Sequence, residues 1–497
     1  MLVSIVLIPF ILGLLIIGLT ILNFSRKGIR RGLLLTGAIT HTFLTVSLGF
    51  FGRSVFRDGT WIGLDPQGYL FLTITSVLFL AVAVYTTGYL TRDSKRKVRD
   101  AVEGFLFENN PETIFSACLL FFLAAMSLVC ISRDMGLLWV AIEATTLASA
   151  PLISFHRHHR SLEATWKYLL ICSVGIAVAL LGNYFLAFAC QDKVHLSLNS
   201  LLSRAAMLDK TWLKAAFLLL LVGYGTKMGL APMHTWLPDA HSEAPSMVSA
   251  LLSGALLNCA FLGILRGHAI LTAAGIGLFS GELLVFFGLL SMIVAAAFII
   301  GQSDYKRILA YSSIEHMGIL ALGVGIGGLA GTGAVLHAVN HSLTKGVLFL
   351  VSGQLLFIYG SKEIDNVRSL LKTAPLTGIL WMTGFLAITG APPFGLFLSE
   401  LTILRGMLET GRWGIAAGYL IVLVVIVIAM TKVMISMVFG YPLRGASQRA
   451  SSFNYREPCW FLFPVMALTA IILTLGLYIP SQVWTFLGRA AAPVGGM

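Results

Sequence analysis

Charge is what this sequence of 497 residues has least of: 11% of it is Asp, Glu, Lys or Arg, where an ordinary soluble domain holds about 25%. Beside a hydrophobic content of 57%, that scarcity excludes a soluble globule. Cysteine is sparse too. The six, Cys118, Cys130, Cys172, Cys190, Cys259 and Cys459, form no Cys-x-x-Cys pair and no set at iron–sulfur spacing, so neither disulfides nor a metal or redox centre are expected, and no cofactor in this chain. A nucleotide-binding glycine loop is missing, and no linker is long enough to tether a second domain. Alternating strands of the outer-membrane type are also missing, which leaves a helical bundle as the spanning solution. The first apolar run lacks a basic leader and an Ala-x-Ala site, so it is expected to stay as a helix.

What is present is apolar sequence in lengths that fit a bilayer. Runs such as Leu2–Leu22, Cys118–Ile131, Ala215–Leu230, Leu284–Ile300 and Ile415–Met430 approach the ~20 residues that cross ~30 Å of hydrocarbon. The fold class is therefore an all-α polytopic membrane protein of about fourteen transmembrane helices. The expected spans are residues 2–22, 32–52, 68–90, 113–131, 135–154, 166–189, 212–231, 245–266, 282–301, 307–329, 331–359, 375–402, 413–440 and 460–485. The net charge of +12 sits in short loops rather than on one solvated face, so it reports orientation and not nucleic acid. Roughly nineteen Lys and Arg fall on one side and roughly eleven on the other, which puts both termini outside. The connection from Thr91 to Glu112 mixes both charge signs and reads as a solvated cytoplasmic loop. The basic stretch His156-Arg-His-His-Arg reads as an orientation signal rather than a metal site.

Two spans are interrupted alike. The seventh runs through Gly229–Pro238 (Gly-Leu-Ala-Pro-Met-His-Thr-Trp-Leu-Pro) and the twelfth through Thr389–Gly395 (Thr-Gly-Ala-Pro-Pro-Phe-Gly). Proline removes a helical hydrogen bond and clashes with the preceding turn, so both helices should break. Five spans separate the breaks, as two inverted five-helix repeats would produce, with an ion path at their interface; two unrelated proline kinks are the plainer alternative. The chain then divides into residues 1–112, a first half at 113–266, a second half at 267–440, and a last helix at 441–497.

Several ionisable residues remain within the spans, where they are costly and mark function. Glu143 lies inside the fifth span, and Lys227, just ahead of the first break, is its natural partner. Burial opposes the charged lysine and the carboxylate favours it, a competition suited to a switchable proton site; a fixed ion pair for packing is the alternative. In the second half stand His316, then His337, His341 and Lys345 four residues apart on one helical face, then Glu400 after the second break. Metal binding by His337 and His341 is disfavoured by the absent HExxH pattern and by the neighbouring lysine; a hydrated proton relay fits better. Glu315 and Glu163 lie nearer span ends, while Lys167 and Lys432 could either join the path or snorkel to the surface.

These residues resemble a known family, the antiporter-like membrane subunits shared by respiratory NADH dehydrogenase (complex I), group 4 membrane-bound hydrogenases and Mrp antiporters. The motifs that carry the resemblance are Lys227 with Pro232–Ser246, Tyr311-Ser-Ser-Ile-Glu-His-Met-Gly, and His337 to Gly353. Within the family, Trp139–Pro151, Leu162–Leu169 and Ala391–Glu400 are most similar to the hydrogenase-4 F-component. The resemblance implies two inverted five-helix repeats and a central polar axis. It matches Glu143 and Lys227 to the acid and lysine of the first half, His316, His337, His341 and Lys345 to the second-half relay, and Glu400 to the terminal acid. It departs at Asn258, where many relatives carry a lysine. Asparagine bonds water but does not titrate, so the link between half-channels must use water, His234, His241 or another group.

The resemblance further implies a prokaryotic cytoplasmic (inner) membrane and partner subunits in the membrane. Through these the chain would meet iron–sulfur and hydrogenase-like or quinone-site subunits. The leading reading is a proton-translocating subunit of a redox-driven complex. Two others stay open: an Mrp-type sodium/proton antiporter subunit, and a non-conducting scaffold whose best argument is Asn258.

Overall fold

The computed structural model describes residues 1–22, 24, 26–50, 61–92, 97–99, 106–191, 194–441, 457 and 459–492. The long helices of the first part are α1 Leu2–Ile21, α2 Lys27–Phe50, α3 Pro66–Arg92, α4 Glu112–Ile131, α5 Met135–Ile153 and α6 His159–Cys190. A short α7, Leu198–Ser203, precedes α8 Lys210–Met228 and α9 Trp236–Glu243. Then come α10 Ser246–Leu251, a π-helical turn at Leu252–Leu256, and α11 Leu257–Ala273. The second part holds α12 Gly277–Ile299, α13 Tyr305–Ile326, α14 Gly328–Tyr359, a short α15 Leu370–Thr373, α16 Pro375–Ile388, α17 Gly395–Glu409 and α18 Trp413–Phe439. It ends in α19 Cys459–Leu477 and α20 Ser481–Ala491.

Among the described residues, 11 helices are long and apolar enough to cross a membrane, α10 and α11 counting as one. The bent pair α19–α20 makes a twelfth if it is one span, and the broken helices α8–α9 and α16–α17 occupy the other two of the fourteen expected places without being counted among these. Two expectations need correction. The basic stretch after His156 is not all loop: α6 begins at His159, with the His158 Nδ1 accepting from the Ser161 amide at 3.1 Å. The connection after Thr91 lies partly outside the described residues, and within it strand β1 (Lys97–Arg99) pairs antiparallel with β2 (Leu106–Glu108). After α19 the chain bends by 88° into α20.

Local chemistry sets several helix starts. Asp134, Asp209 and Asp304 each accept two backbone N–H groups at the head of α5, α8 and α13, satisfying donors that a first turn leaves unpaired. Lipid offers no hydrophobic drive between helices, so close packing must hold them together, and small residues permit it. A Cβ added at Gly288 would stand 2.7 Å from the Gly318 carbonyl oxygen, and one at Gly318 2.6 Å from that of Gly288. Gly281 and Gly325 repeat this contact seven residues away on each helix, at 2.7 and 2.5 Å. Backbone thus meets backbone along α12 and α13.

The span α10–α11 and α13 are wholly enclosed by other helices, whereas α1 and α18 lie at the periphery. Outward-facing Leu147, Trp166, Val174, Phe286 and Ile428 are exposed, as a surface against lipid requires.

Candidate proton-relay site

Both breaks form where proline dictates. Helix α8 ends at Gly229, whose φ of +85° closes the helix in the left-handed region, and α9 begins after seven irregular residues. The Ala231 amide in this break donates to the Ser291 hydroxyl at 2.9 Å. In the second break Phe394 N donates to the Ala391 carbonyl at 3.1 Å. The exposed positions of the breaks include Pro232, Pro392 and Pro393, residues with no N–H to leave unsatisfied.

Lys227 is fully buried in the last turn of α8. Its ammonium nitrogen donates to Thr146 Oγ1 at 2.8 Å and to the Tyr168 hydroxyl at 2.6 Å, and lies 4.5 Å from the centroid of the Tyr168 ring. Glu143 does not pair with it directly, as the sequence suggested. Thr146, one turn along α5, stands between them and donates to Glu143 Oε2 at 3.0 Å, while Ser173 donates to Oε1 at 3.1 Å. Carboxylate, hydroxyl and amine thus form a three-member chain.

Ser149 is placed to donate to the Thr145 carbonyl at 2.7 Å, and the Ser149 and Tyr168 hydroxyls share a hydrogen bond of 2.6 Å in which either oxygen can donate. Thr146 points its proton at Glu143. Lys227 in turn uses two N–H groups, one on the Thr146 oxygen and one on the Tyr168 oxygen. An amine and an ammonium both have two, so the site accepts either charge state.

The second cluster is likewise a chain of side-chain contacts. Ser399 on α17 is placed to donate to the Leu396 carbonyl at 2.8 Å, and its oxygen lies 3.0 Å from His337 Nδ1. His337 Nε2 and His316 Nδ1 share a hydrogen bond of 2.9 Å whose direction depends on the tautomers of the two rings. His316 Nε2 has no side-chain partner. His341 packs on His316 with ring centroids 4.9 Å apart, and neither of its nitrogens has a side-chain partner. His337 and His341 are 6.5 Å apart and stacked, so the expected rungs are real but do not bond to each other.

Lys345, fully buried, donates to the Leu309 carbonyl at 2.7 Å. Glu400 reaches back over the second break, so close to Gly390 that a Cβ there would stand 2.1 Å from Glu400 Oε2. One atom each of His316, His337 and Glu400 lie within 4.8 Å of one another.

Between the clusters, Asn258 donates to Ser342, the neighbour of His341, at 2.7 Å and to the Gly254 carbonyl at 2.9 Å. Its Oδ1 has no partner. His241 is buried and stacks on Phe349 at 4.8 Å with both ring nitrogens unpartnered; Lys345 and Lys306 are its charged neighbours. His234 sits apart, in the first break beside Phe298 and Tyr311.

Besides His234, two residues of the sequence reading fall away from these clusters. Lys167 is half-exposed and pairs with Glu163 at 2.8 Å and Asp239 at 2.9 Å, and Lys432 is exposed on α18. Conversely, Glu315 was expected near a span end, yet it is buried mid-helix in α13, with Lys345 and Glu400 as charged neighbours. Thr146, Tyr168 and Ser399 were also missed. Thr146 and Ser399 had a signal: one lies a helical turn beyond Glu143, and the other directly precedes Glu400.

The family model for the transmembrane region of NADH:quinone oxidoreductase and Mrp antiporters matches residues 132–431. The chain is 34% identical over 440 residues to the hydrogenase-4 component F homolog of Methylacidiphilum infernorum, covering 86% of this chain and 87% of that protein. It is 28% identical over 429 residues to NADH-quinone oxidoreductase subunit N of Desulforudis audaxviator, covering 84% and 82%. Its fold matches a chain of the membrane-bound sulfane sulfur reductase, an archaeal respiratory complex, with a TM-score of 0.85 at 20% identity over 99% of this chain and 97% of that one.

Proposed function

This chain belongs to the NADH:quinone oxidoreductase/Mrp antiporter transmembrane family, and from that premise we propose that it moves protons through the membrane as one subunit of a redox-driven complex. The observation that carries the reading is Lys227: a buried amine at a helix break, joined to Glu143 through one hydroxyl, in a site that accepts both of its charge states. A charge shift reaching Glu143 from a neighbouring subunit weakens the hold on the lysine proton, because the carboxylate is what favours the ammonium there. The released proton passes Asn258, where water completes the unpartnered Oδ1 and the His341 and His241 nitrogens, since buried polar atoms require partners. It is taken up by His316 Nε2 and leaves by way of His337 and Glu400.

In this reading the energy comes from partner subunits that hold the redox centres, since the sequence carries no cofactor motif. The names of its relatives, a hydrogenase-4 component and a quinone oxidoreductase subunit, support membership of such an assembly. We read the two broken helices as marks of two inverted five-helix repeats, and the basic loops as placing both termini outside a prokaryotic inner membrane. In the intact complex, Lys227→Ala should abolish proton pumping, measured in inverted vesicles, while electron transfer by the partners continues. Unchanged pumping would sink the reading.

Asn258 favours one second reading. It stands between the clusters, is 1% exposed and cannot titrate, as in a subunit that scaffolds the complex without conducting. Flux through proteoliposomes with and without sodium separates conduction of protons, exchange for sodium, and no conduction.

A further inference from the structure

We propose that His316, His337 and Glu400 form a binding site for a divalent transition-metal ion of the zinc class, and that an ion seated there stops the proton relay. The site itself rests on geometry alone; its effect on flux rests on the proton path proposed above.

The donor set is two imidazoles and a carboxylate brought together from α13, α14 and α17, a combination that suits zinc and leaves a fourth position open. One ligand atom from each residue lies within 4.8 Å of the other two. Donors bound ~2.0–2.1 Å from one tetrahedral ion stand about 3.3 Å apart. The His316 Nδ1 to His337 Nε2 distance of 2.9 Å must therefore widen by a few tenths of an ångström and Glu400 must move inward, adjustments within the range of side-chain rotation.

Orientation is already supplied. Ser399 lies 3.0 Å from His337 Nδ1, and in the tautomer with the hydrogen in that contact the Nε2 lone pair faces the cluster, the arrangement by which a hydrogen bond on one imidazole nitrogen prepares the other as a ligand. His316 exchanges its contact with His337 for the ion. Charge does not forbid the ion: Lys345 opposes it, and Glu315 and Glu400 provide two carboxylates against that one lysine. Access is short, because Glu400 lies against Gly390 in the second break, beside the exposed Pro392 and Pro393. The pair His337 and His341, one turn apart on a single helix, is not this site, which draws its three donors from three helices.

An ion held by His316 Nδ1 and His337 Nε2 replaces the hydrogen bond between those two atoms, the contact through which the rings would pass a proton. Zinc chloride titrated calorimetrically into the purified full chain should report one site. Glu400→Gln and His316→Gln should each weaken it at least tenfold, and His241→Gln, outside the set, should leave it unchanged. X-ray absorption of the zinc-loaded protein should show two imidazole nitrogens and a carboxylate oxygen. Equal zinc affinity in wild type, E400Q and H316Q, with the variants melting as wild type does, overturns the site. If zinc binds as described but leaves proton flux through the intact complex untouched, the site stands and the proton path through His316 and His337 falls.

Discussion

Glu143 and Lys227 communicate through the hydroxyl of Thr146, which takes a hydrogen bond from the lysine at 2.8 Å and gives one to the carboxylate at 3.0 Å. Replacing Thr146 by Val keeps the shape and removes both bonds. A hydrogen bond to a charged group contributes about 1.5–3 kcal/mol, so Thr146→Val should slow pumping by roughly ten- to a hundredfold, and Thr146→Ser should restore most of it. Pumping in inverted vesicles, normalised to electron transfer, is the measurement; full activity in the Val variant would mean that the acid and the lysine work independently.

The second cluster makes a spectroscopic prediction. With the Ser399 proton on the Leu396 carbonyl, the relay running from His316 to His337 requires His337 to carry its hydrogen on Nδ1 and His316 to carry its own on Nδ1 as well. Nitrogen-15 shifts of the two rings, in protein labelled at histidine, should show both in this tautomer at neutral pH. An Nε2–H form of His337 would contradict the assigned direction of the relay.

Gly390 has φ +65°, and its missing side chain makes room for the Glu400 carboxylate. Alanine there meets both a left-handed backbone, which costs about 1–2 kcal/mol, and an oxygen 2.1 Å from its methyl carbon. Gly390→Ala should therefore lower thermal stability in detergent and impair transport together. Gly418→Ala on α18, with nothing within 4 Å, should be neutral or raise stability by up to about 1 kcal/mol. Similar melting of the two variants would remove the packing argument.

His156, in the loop between α5 and α6, is held neutral. Burial comes first, followed by the charges of His158, Lys306 and Lys362, with only Glu243 opposing, and together they push its pKa down to about 3 from 6.5. The unfolded chain binds this proton below pH 6.5 and the folded chain does not, so the stability contribution is complete above pH 6.5 and is lost as pH falls toward 3. Melting in detergent should drop by a few degrees between pH 7.5 and pH 5, and His156→Gln should flatten part of that slope. Identical slopes in both proteins would refute the assignment.

The spans and the two breaks were legible because hydropathy over ~20 residues and proline within a helix are local signals. Glu143, Lys227, His316, His337 and His341 were legible for a related reason: an ionisable group in an apolar run stands out in one dimension. What joins them was not. Thr146, Tyr168 and Ser399 are ordinary residues whose role arises only when α5, α6, α8, α14 and α17 come together. Glu315 was misjudged because α13 starts at Tyr305, two residues earlier than expected, which carries it deeper. Lys167 was undecided because the reach of a lysine depends on its partner, and Asp239 comes from another helix.

The reciprocal glycine contacts along α12 and α13 bear on what can move. Where two backbones touch with no side chains between them, no rotamer can change and no ridge can slip into a neighbouring groove. That pair then acts as a rigid strut, and any flexing during turnover must be taken up elsewhere in the bundle, with the broken helices as its natural joints. For the proton transfer proposed above, such a frame would stay still, and the rearrangement would be one of protons and hydroxyl rotors rather than of helices.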